Sequence, residues 1–310
     1  MKGLVIKSTG SLCSVLAIDG KKYPCKIKGK NRLLNIEFTN PVAVGDEVIF
    51  TFDSINKTGL IQSVEPRKNY IIRKSVNLSH KSQIIAANID LALLMITIKN
   101  PITSLNFIDR FLVQAAAYGV NTKLIFNKID LHDETLEAMQ DKYQKIYQKI
   151  GYETISMSMH HHDKLQYIKQ ILQNKITVVS GHSGVGKSTL INLIEPNLNL
   201  KTKTISQYHK QGVHTTTYTE MYTLKSGGYI IDTPGIKGLG LVNLDINLLS
   251  RYFPEMLLHA VNCKFKNCTH LNEPGCNIIL QLNNNVIATS RYESYLSMLK
   301  KNTNYRQTNY

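Results

Sequence analysis

The chain has 310 residues, 43% hydrophobic and 19% charged, which is typical of a soluble globular protein with too many residues for one ordinary core. The first twenty residues alternate too often for a signal peptide, and the mainly apolar run Leu91–Ile98 is far shorter than the roughly 20 residues of a membrane span. We therefore expect a cytoplasmic, multidomain protein without a membrane partner, and its net charge of +15 favours polyanionic partners such as nucleic acid.

Residues 3–64 read as short alternating strands separated by turns that contain glycine, aspartate or asparagine. About five strands in this length predict a small β-barrel over residues 1–65. An oligonucleotide-binding (OB) barrel is the main prediction, and an SH3-like barrel would leave much the same pattern. Residues 1–32 carry eight Lys/Arg and one acid, Asp19, so we expect this barrel to be basic. The stretch PRKNYIIRKS then predicts a basic linker over 66–75.

From residue 89 strands alternate with helices, which predicts an α/β domain over 76–240 with a parallel sheet covered on both faces. DLALLMITI and KITVVSG read as buried strands, and two amphipathic helices end at Gly119 and Gly151. After about residue 245 the chain reads as helical, with three cysteines close together. We predict a separate C-terminal helical domain over 241–310.

The stretch GHSGVGKS fits the phosphate-loop pattern in full, and it follows a strand and opens a helix. Backbone N–H groups of such a loop surround phosphates, the lysine adds a point charge, and the following serine holds Mg²⁺. The predicted nucleotide-binding residues here are Gly181, His182, Ser183, Gly184, Val185, Gly186, Lys187, Ser188 and Thr189. Lys187 is also a candidate catalytic residue, and Ser188 is the candidate magnesium ligand.

A guanine-reading motif comes earlier in the chain, at Asn127, Lys128, Ile129 and Asp130. An ionised Asp130 carboxylate accepts two hydrogen bonds, which matches the adjacent N1–H and N2–H₂ donors of guanine. Adenine offers no such pair, so the motif favours GTP over ATP. Ser158, after the strand ETISM, is expected to lie behind the guanine base.

The stretches GVHTTT and DTPG predict the two segments that respond to the γ-phosphate. Thr215 or Thr216 is expected to complete the metal shell, Asp232 to reach Mg²⁺ through water, and Gly235 to bind the γ-phosphate. The order of base reader, phosphate loop and switch acid is a circular permutation of the usual GTPase order. Permutation is sterically tolerable where chain termini lie close together at a domain surface.

The spacing Cys263-x₄-Cys268-x-His270-x₅-Cys276 offers three thiolates and an imidazole within fourteen residues. This is a closed four-ligand set of the structural zinc type, with Pro274-Gly275 as a turn before the last cysteine. The three adjacent histidines at 160–162 cannot all face one ion, and a solvated loop is the better interpretation.

Together the permuted NKID, GHSGVGKS, HTTT and DTPG, with FPE at 253–255 and CKFKNCTHLNEPGC, resemble the ribosome small-subunit-dependent GTPase A (RsgA) family. The resemblance implies an OB barrel, a permuted GTPase and a zinc domain. It also implies a role in late maturation of the small ribosomal subunit, with subunit-stimulated GTP hydrolysis. The implied partners are GTP or GDP, the small subunit and its rRNA, and a monomer is the default.

The residue after DTPG is Ile236, which has no group to orient an attacking water. Our hypothesis assigns that role to His214 in the first switch. We further expect GTP to bias the orientation of the zinc domain, and the tail residues Arg291, Lys300, Lys301 and Arg306 to contact rRNA. The alternatives are a nucleotide-gated RNA-binding chaperone with incidental hydrolysis, and a P-loop kinase or ATPase.

Overall fold

The computed structural model describes residues 1–9, 12–27, 40–74, 82–162, 164–200, 219–232 and 244–307. None of the helices in these ranges is long and apolar enough to cross a membrane. Over most of this length the chain forms one extended sheet system, in which an N-terminal barrel continues into the sheet of an α/β domain. Helices of the C-terminal domain pack against the first α-helix of the α/β domain, Leu105–Ala117.

Five strands of the described residues close the N-terminal barrel. They are β1 (Lys2–Ser8), β2 (Leu12–Ala17), β3 (Lys22–Ile27), β4 (Glu47–Asp53) and β5 (Thr58–Val64). The order around the barrel is β1-β2-β3-β5-β4, β4 pairs back with β1, and β3 runs parallel to β5. Alternate residues such as Val15, Cys25 and Phe50 fill the interior. This closed arrangement confirms the predicted OB barrel.

The segment predicted as a basic linker contains a strand. Residues Tyr70–Lys74 form β6, which pairs antiparallel with β7 (Ser82–Ala87), and neither strand was expected from the sequence. Arg67 is not a free cation, because its guanidinium donates two hydrogen bonds, of 2.6 and 2.8 Å, to the buried carboxylate of Asp46. The linker is thereby fixed to the barrel, while the domain limits at 65, 75 and 240 stay predictions.

Among the described residues, six strands form the sheet of the α/β domain. They are β8 (Leu91–Ile96), β9 (Thr122–Asn127), β10 (Thr154–Met157), β11 (Ile176–Gly181), β12 (Glu220–Thr223) and β13 (Tyr229–Asp232). Their order is β10-β9-β8-β11-β13-β12, all parallel except β12. All six residues of β8 are buried, as expected for a parallel strand covered on both faces.

In the described parts of the chain, four α-helices lie in the connections between these strands. They are α1 (Leu105–Ala117), α2 (Glu134–Lys149), α3 (Leu165–Leu172) and α4 (Lys187–Ile194). Side-chain oxygens of Ser104 and Asp133 accept backbone N–H bonds at the starts of α1 and α2, which satisfies N–H groups that have no partner within the helix. Gly119 and Gly151, with φ of 66° and 92°, follow the ends of these helices. Both predicted stops are confirmed.

The C-terminal domain is helical, as predicted. It contains a 3₁₀ helix (Ile246–Tyr252), α5 (Pro254–Ala260), α6 (Asn277–Asn283) and α7 (Thr289–Gln307). Phe253, Met256, Ile278 and Met298 are buried in its core, together with Val113 of α1. The domain therefore packs directly on a helix of the α/β domain.

Candidate nucleotide site and metal centre

The phosphate loop runs from the end of β11 to the first residue of α4. Gly181 and Gly186 have φ of 142° and 104°, in a range that residues with a side chain rarely adopt. A Cβ on Gly181 would lie 2.5 Å from the Met95 carbonyl oxygen, and a Cβ on Gly186 would lie 2.6 Å from the side-chain nitrogen of Asn127. Both positions therefore require glycine, because the loop lies directly against β8 and against the end of β9.

Lys187 is 9% exposed and lies within the curve of this loop. Its ammonium donates hydrogen bonds of 2.8 Å and 2.7 Å to the carbonyl oxygens of Gly181 and His182. Burial lowers the pKa of Lys187 to about 8, although the Asp232 carboxylate acts in the opposite direction. Ser188 follows in the first turn of α4. The loop thus holds a cation where phosphates of a ligand are expected.

Asp232 ends β13, which runs parallel to β11 with Asp232 opposite Val179. It therefore lies beside the strand that leads into the phosphate loop. Burial raises the pKa of the Asp232 carboxyl, and Lys187 lowers it. The ammonium of Lys187, at the start of α4, and the carboxylate of Asp232, at the end of β13, lie close enough to interact electrostatically, an arrangement suited to a magnesium–phosphate ligand.

The guanine-reading motif meets the phosphate loop. Asn127, 1% exposed, donates a 2.7 Å hydrogen bond from its side-chain amide to the carbonyl oxygen of Val185. Lys128 adopts a left-handed conformation with φ of 68°, and its ammonium donates to the carbonyl oxygen of Asn100. Two predicted motifs that lie 58 residues apart are thus in direct contact, with the predicted base-reading segment beside the loop.

Asp130 follows in a short 3₁₀ helix (Ile129–Leu131) and is exposed. Ser158, fully buried at the end of the neighbouring strand β10, hydrogen-bonds to the Asp130 carboxylate. Burial acts to raise the pKa of Asp130, but the bond from Ser158 and the nearby His160 and His161 bring it below its usual range. The carboxylate is therefore ionised, as guanine recognition requires.

Several predicted residues lie outside the described part of the chain. These are His214, Thr215, Thr216, Gly235 and Ile236. Their roles stay predictions. His160, His161 and His162 are exposed, which confirms the solvated loop expected for them.

An aromatic contact at the loop had no signal in the sequence. The ring of Phe107, in the first turn of α1, stacks on the imidazole of His182 with centroids 3.9 Å apart and planes inclined by 30°. Helical spacing identifies the faces of α1 but not the element that each face meets. Phe107 and His182 are 75 positions apart in the sequence, so no local pattern could predict their contact.

The candidate metal centre is formed by Cys263, Cys268, His270 and Cys276. Their ligand atoms all lie within 4.8 Å of one another. The Nδ1 atom of His270 is 3.7 Å from Cys263 Sγ and 3.5 Å from Cys276 Sγ. Three thiolates and one imidazole in a closed cluster have the donor chemistry of a structural zinc site.

The loop between the ligands is held by hydrogen bonds that sequence reasoning did not identify. The Glu273 carboxylate accepts from the backbone N–H groups of Thr269, Leu271 and Asn272 at 2.6, 2.9 and 3.2 Å. On α7, the hydroxyls of Tyr292 and Tyr295 each donate a 2.7 Å bond, to the carbonyl oxygens of His270 and Thr269 respectively. The ligand loop is thereby fixed to the last helix.

Arg291 corrects a prediction made for the tail. It was expected to contact rRNA, but it is 1% exposed and lies between two carboxylates. Its guanidinium is 2.7 Å from Asp109 Oδ1 and 2.6 Å from Glu255 Oε1, and it lies 4.6 Å from the centroid of the Phe253 ring. A buried, fully paired cation is unavailable to RNA, so the prediction for Arg291 was wrong.

Comparison with known proteins decides the family. Residues 64–242 match the model of the RsgA GTPase family, and residues 2–61 match that of the RsgA N-terminal domain. The chain belongs to the RsgA GTPase family. Two relatives are named small ribosomal subunit biogenesis GTPase RsgA. The one from Flavobacterium psychrophilum is 52% identical over 97% of this chain and 93% of its own length, and the one from Bacteroides fragilis is 49% identical over 97% and 96%.

Two solved structures resemble this member of the RsgA GTPase family along nearly its whole length. YjeQ from Thermotoga maritima is 32% identical, with a TM-score of 0.78 and 97% of each chain covered. YloQ, described as a circularly permuted GTPase, is 27% identical, with a TM-score of 0.75 and 98% of this chain and 95% of its own covered. The predicted permutation of the GTPase order is confirmed.

Proposed function

We propose that this chain binds and hydrolyses GTP and acts in the biogenesis of the small ribosomal subunit. The hydrogen bond from Asn127 to Val185 carries the proposal for the nucleotide, because it joins a guanine-reading motif to a phosphate loop. The name shared by relatives 49–52% identical over nearly the whole chain supports the proposal for the subunit.

In the proposed mechanism the segment 127–130, with Ser158 behind Asp130, binds guanine. Backbone N–H groups of Gly181–Thr189 surround the phosphates, and Lys187 exchanges its bonds to loop carbonyls for bonds to phosphate oxygens. Ser188, Asp232 and Thr215 or Thr216 would hold magnesium, which when bound neutralises charge on the β- and γ-phosphates. Gly235 would bind the γ-phosphate, and His214 would orient the attacking water.

We also infer a structural zinc ion at Cys263, Cys268, His270 and Cys276. The cluster is closed by four protein ligands, which leaves no position for a catalytic water. Its role would be to hold the loop between α5 and α6 against α7. Folding of the C-terminal domain would then depend on the metal.

Contact with rRNA is proposed for the barrel surface. Lys2, Lys21, Lys22 and Lys26 are exposed on it, and the whole chain carries a net charge of +15. Such lysines bind phosphates without reading base sequence. A cytoplasmic location and a monomeric state complete the proposal.

The decisive experiment is GTP turnover by the protein alone, with small subunits and with large subunits. We expect small subunits, but not large subunits, to stimulate turnover strongly. A Lys187→Ala variant should show no such stimulation. ATP should not compete for the site, because adenine offers the Asp130 carboxylate no adjacent pair of hydrogen-bond donors. Equal turnover under all three conditions would contradict the proposal and favour a nucleotide-gated RNA-binding chaperone.

A further inference from the structure

Helix α1 contacts two distant parts of the molecule through residues two positions apart. Phe107 stacks on His182 of the phosphate loop at 3.9 Å, whereas the fully buried Asp109 meets Arg291 of α7 at 2.7 Å. Residues two apart on an α-helix point in directions about 200° apart. One side of the N-terminal part of α1 therefore faces the phosphate loop, and the other faces the C-terminal domain.

The contact with the C-terminal domain is a buried charge cluster. Arg291 binds Asp109 of α1 through one guanidinium nitrogen and Glu255 of α5 through two others, at 2.6 and 3.1 Å. The hydroxyl of Tyr147 on α2 donates a further 2.8 Å bond to Asp109 Oδ1. Arg291 is 1% exposed, and the Asp109 and Glu255 side chains are 0% and 6% exposed.

Such a cluster strongly favours one arrangement of the helices. If α7 or α5 shifted relative to α1, a charge would be left buried without its partner, which is highly unfavourable. The first turn of α1 is thus held at a fixed place by the C-terminal domain. Because Phe107 lies in that turn, the imidazole of His182 has a fixed support.

We propose that Phe107 is a positioning residue for nucleotide binding, and that α1 transmits the placement of the C-terminal domain to the phosphate loop through Asp109, Arg291 and Glu255. The inference rests on the proposed guanine-nucleotide site and adds a physical link from that site to the C-terminal domain. Neither Phe107 nor the charge cluster belongs to the residues assigned to nucleotide binding. Both act through His182.

The first test compares the same substitution at two positions of α1. Phe107→Leu keeps an apolar side chain but removes the ring, and Phe111→Leu does the same one turn later, in the core and away from the loop. We expect Phe107→Leu to raise the Kd for a fluorescent GDP analogue and the KM for GTP about three- to tenfold. The intrinsic kcat should change less. Phe107→Tyr should restore both values.

Phe111→Leu should lower the melting temperature without changing the Kd for the GDP analogue or the KM for GTP. Circular dichroism would establish that each variant is folded at the assay temperature. Wild-type affinity in Phe107→Leu, or an equal loss in Phe111→Leu, would overturn the positioning role. Failure of the wild-type protein to bind the GDP analogue would instead overturn the proposed function.

The second test addresses the link to the C-terminal domain. Glu255→Gln removes one charge from the cluster, and the matched control Glu293→Gln changes an exposed carboxylate on α7. We expect Glu255→Gln to weaken binding of the GDP analogue about two- to threefold and Glu293→Gln to leave it unchanged. Combined with Phe107→Leu, Glu255→Gln should add little further loss, because both act through one route. Fully additive effects would overturn the link.

Discussion

The side-chain amide of Asn127 donates a hydrogen bond to the carbonyl oxygen of Val185 across a separation of 58 residues. Val185 lies in the phosphate loop and is fully buried, so this oxygen has no access to water. Gly186 leaves room for the amide, because a Cβ there would lie 2.6 Å from its nitrogen. The segment predicted to bind the base therefore also supports the phosphate loop.

Replacing Asn127 with alanine should affect stability and binding together. The Val185 carbonyl would lose its partner in a buried place, so we expect the free energy of unfolding to fall by about 1–3 kcal/mol. The Kd for GDP should rise at least about tenfold. Urea unfolding and titration with a fluorescent GDP analogue measure the two effects. Asn69→Ala is the control, because its amide bonds the backbone of Ile89 away from the site and should affect stability alone.

Exchange of Asp130 for asparagine should change base selectivity. Asparagine offers one acceptor and one donor in place of two acceptors, which matches N1–H and the 2-carbonyl of xanthine. We expect GTP affinity to fall about 10- to 100-fold and affinity for xanthosine triphosphate to rise. Competition titrations with both nucleotides measure this. The same change at Asp133, the N-cap of α2, should leave the selectivity as it is. Unchanged selectivity in Asp130→Asn would argue against guanine reading by this residue.

The lowered pKa of Lys187 predicts proton uptake on nucleotide binding. With a pKa of about 8, about half of the free protein carries a neutral Lys187 at pH 8. Phosphate oxygens favour the charged form, so binding at pH 8 should take up about half a proton, and almost none at pH 6.5. Calorimetric titrations in buffers of different ionisation enthalpy measure this number. An uptake at pH 8 as small as that at pH 6.5 would contradict the prediction.

The lowered pKa of Lys187 also makes the stability of the nucleotide-free protein depend on pH. The folded-state pKa of about 8 lies below the ordinary lysine value of 10.5, so the unfolded chain binds more protons between these values. The contribution of Lys187 to the free energy of unfolding therefore rises with pH across this window. Urea unfolding should therefore show this rise without GDP and a smaller rise with GDP, because phosphate oxygens favour the charged form of Lys187.

Loss of a metal ligand should unfold the C-terminal domain selectively. We expect Cys268→Ser to reduce the zinc content from about one ion per chain and to increase hydrogen exchange in α5 and α6. Hydrogen exchange in the barrel should stay unchanged. Cys13→Ser, in the barrel core, is the control and should retain the metal. Retention of zinc by Cys268→Ser would show that this thiolate is not a ligand.

Local patterns were sufficient to predict the features that short stretches of sequence determine. The phosphate loop between β11 and α4, the stops at Gly119 and Gly151, and the clustering of the four candidate metal ligands all depend on neighbours in sequence. For the barrel, alternation predicted strands but left two barrel types open. The parallel pairing of β3 with β5 and the closure of β4 on β1 identify the OB barrel.

Features that depend on contacts distant in sequence were missed or predicted wrongly. Arg291 looked like an available cation in a basic tail, because nothing near it in sequence indicates that Asp109 and Glu255 enclose it. Arg67 was assigned to a basic linker for the same reason, although it binds the buried Asp46. Periodicity reports which face of an element is apolar, but a buried ion pair is determined by how distant elements pack.

The pairing of β1 with β12 has a consequence for attempts to isolate the α/β domain. Lys7 lies opposite Glu220, with its ammonium 3.4 Å from the Glu220 carboxylate, so the barrel covers the outer side of β12. Deleting residues 1–65 would turn β12 into an exposed edge strand with unpaired backbone groups. Such edges recruit strands from other molecules. A truncated protein of this kind should therefore self-associate, and the barrel protects its neighbour from aggregation as well as supplying a basic surface.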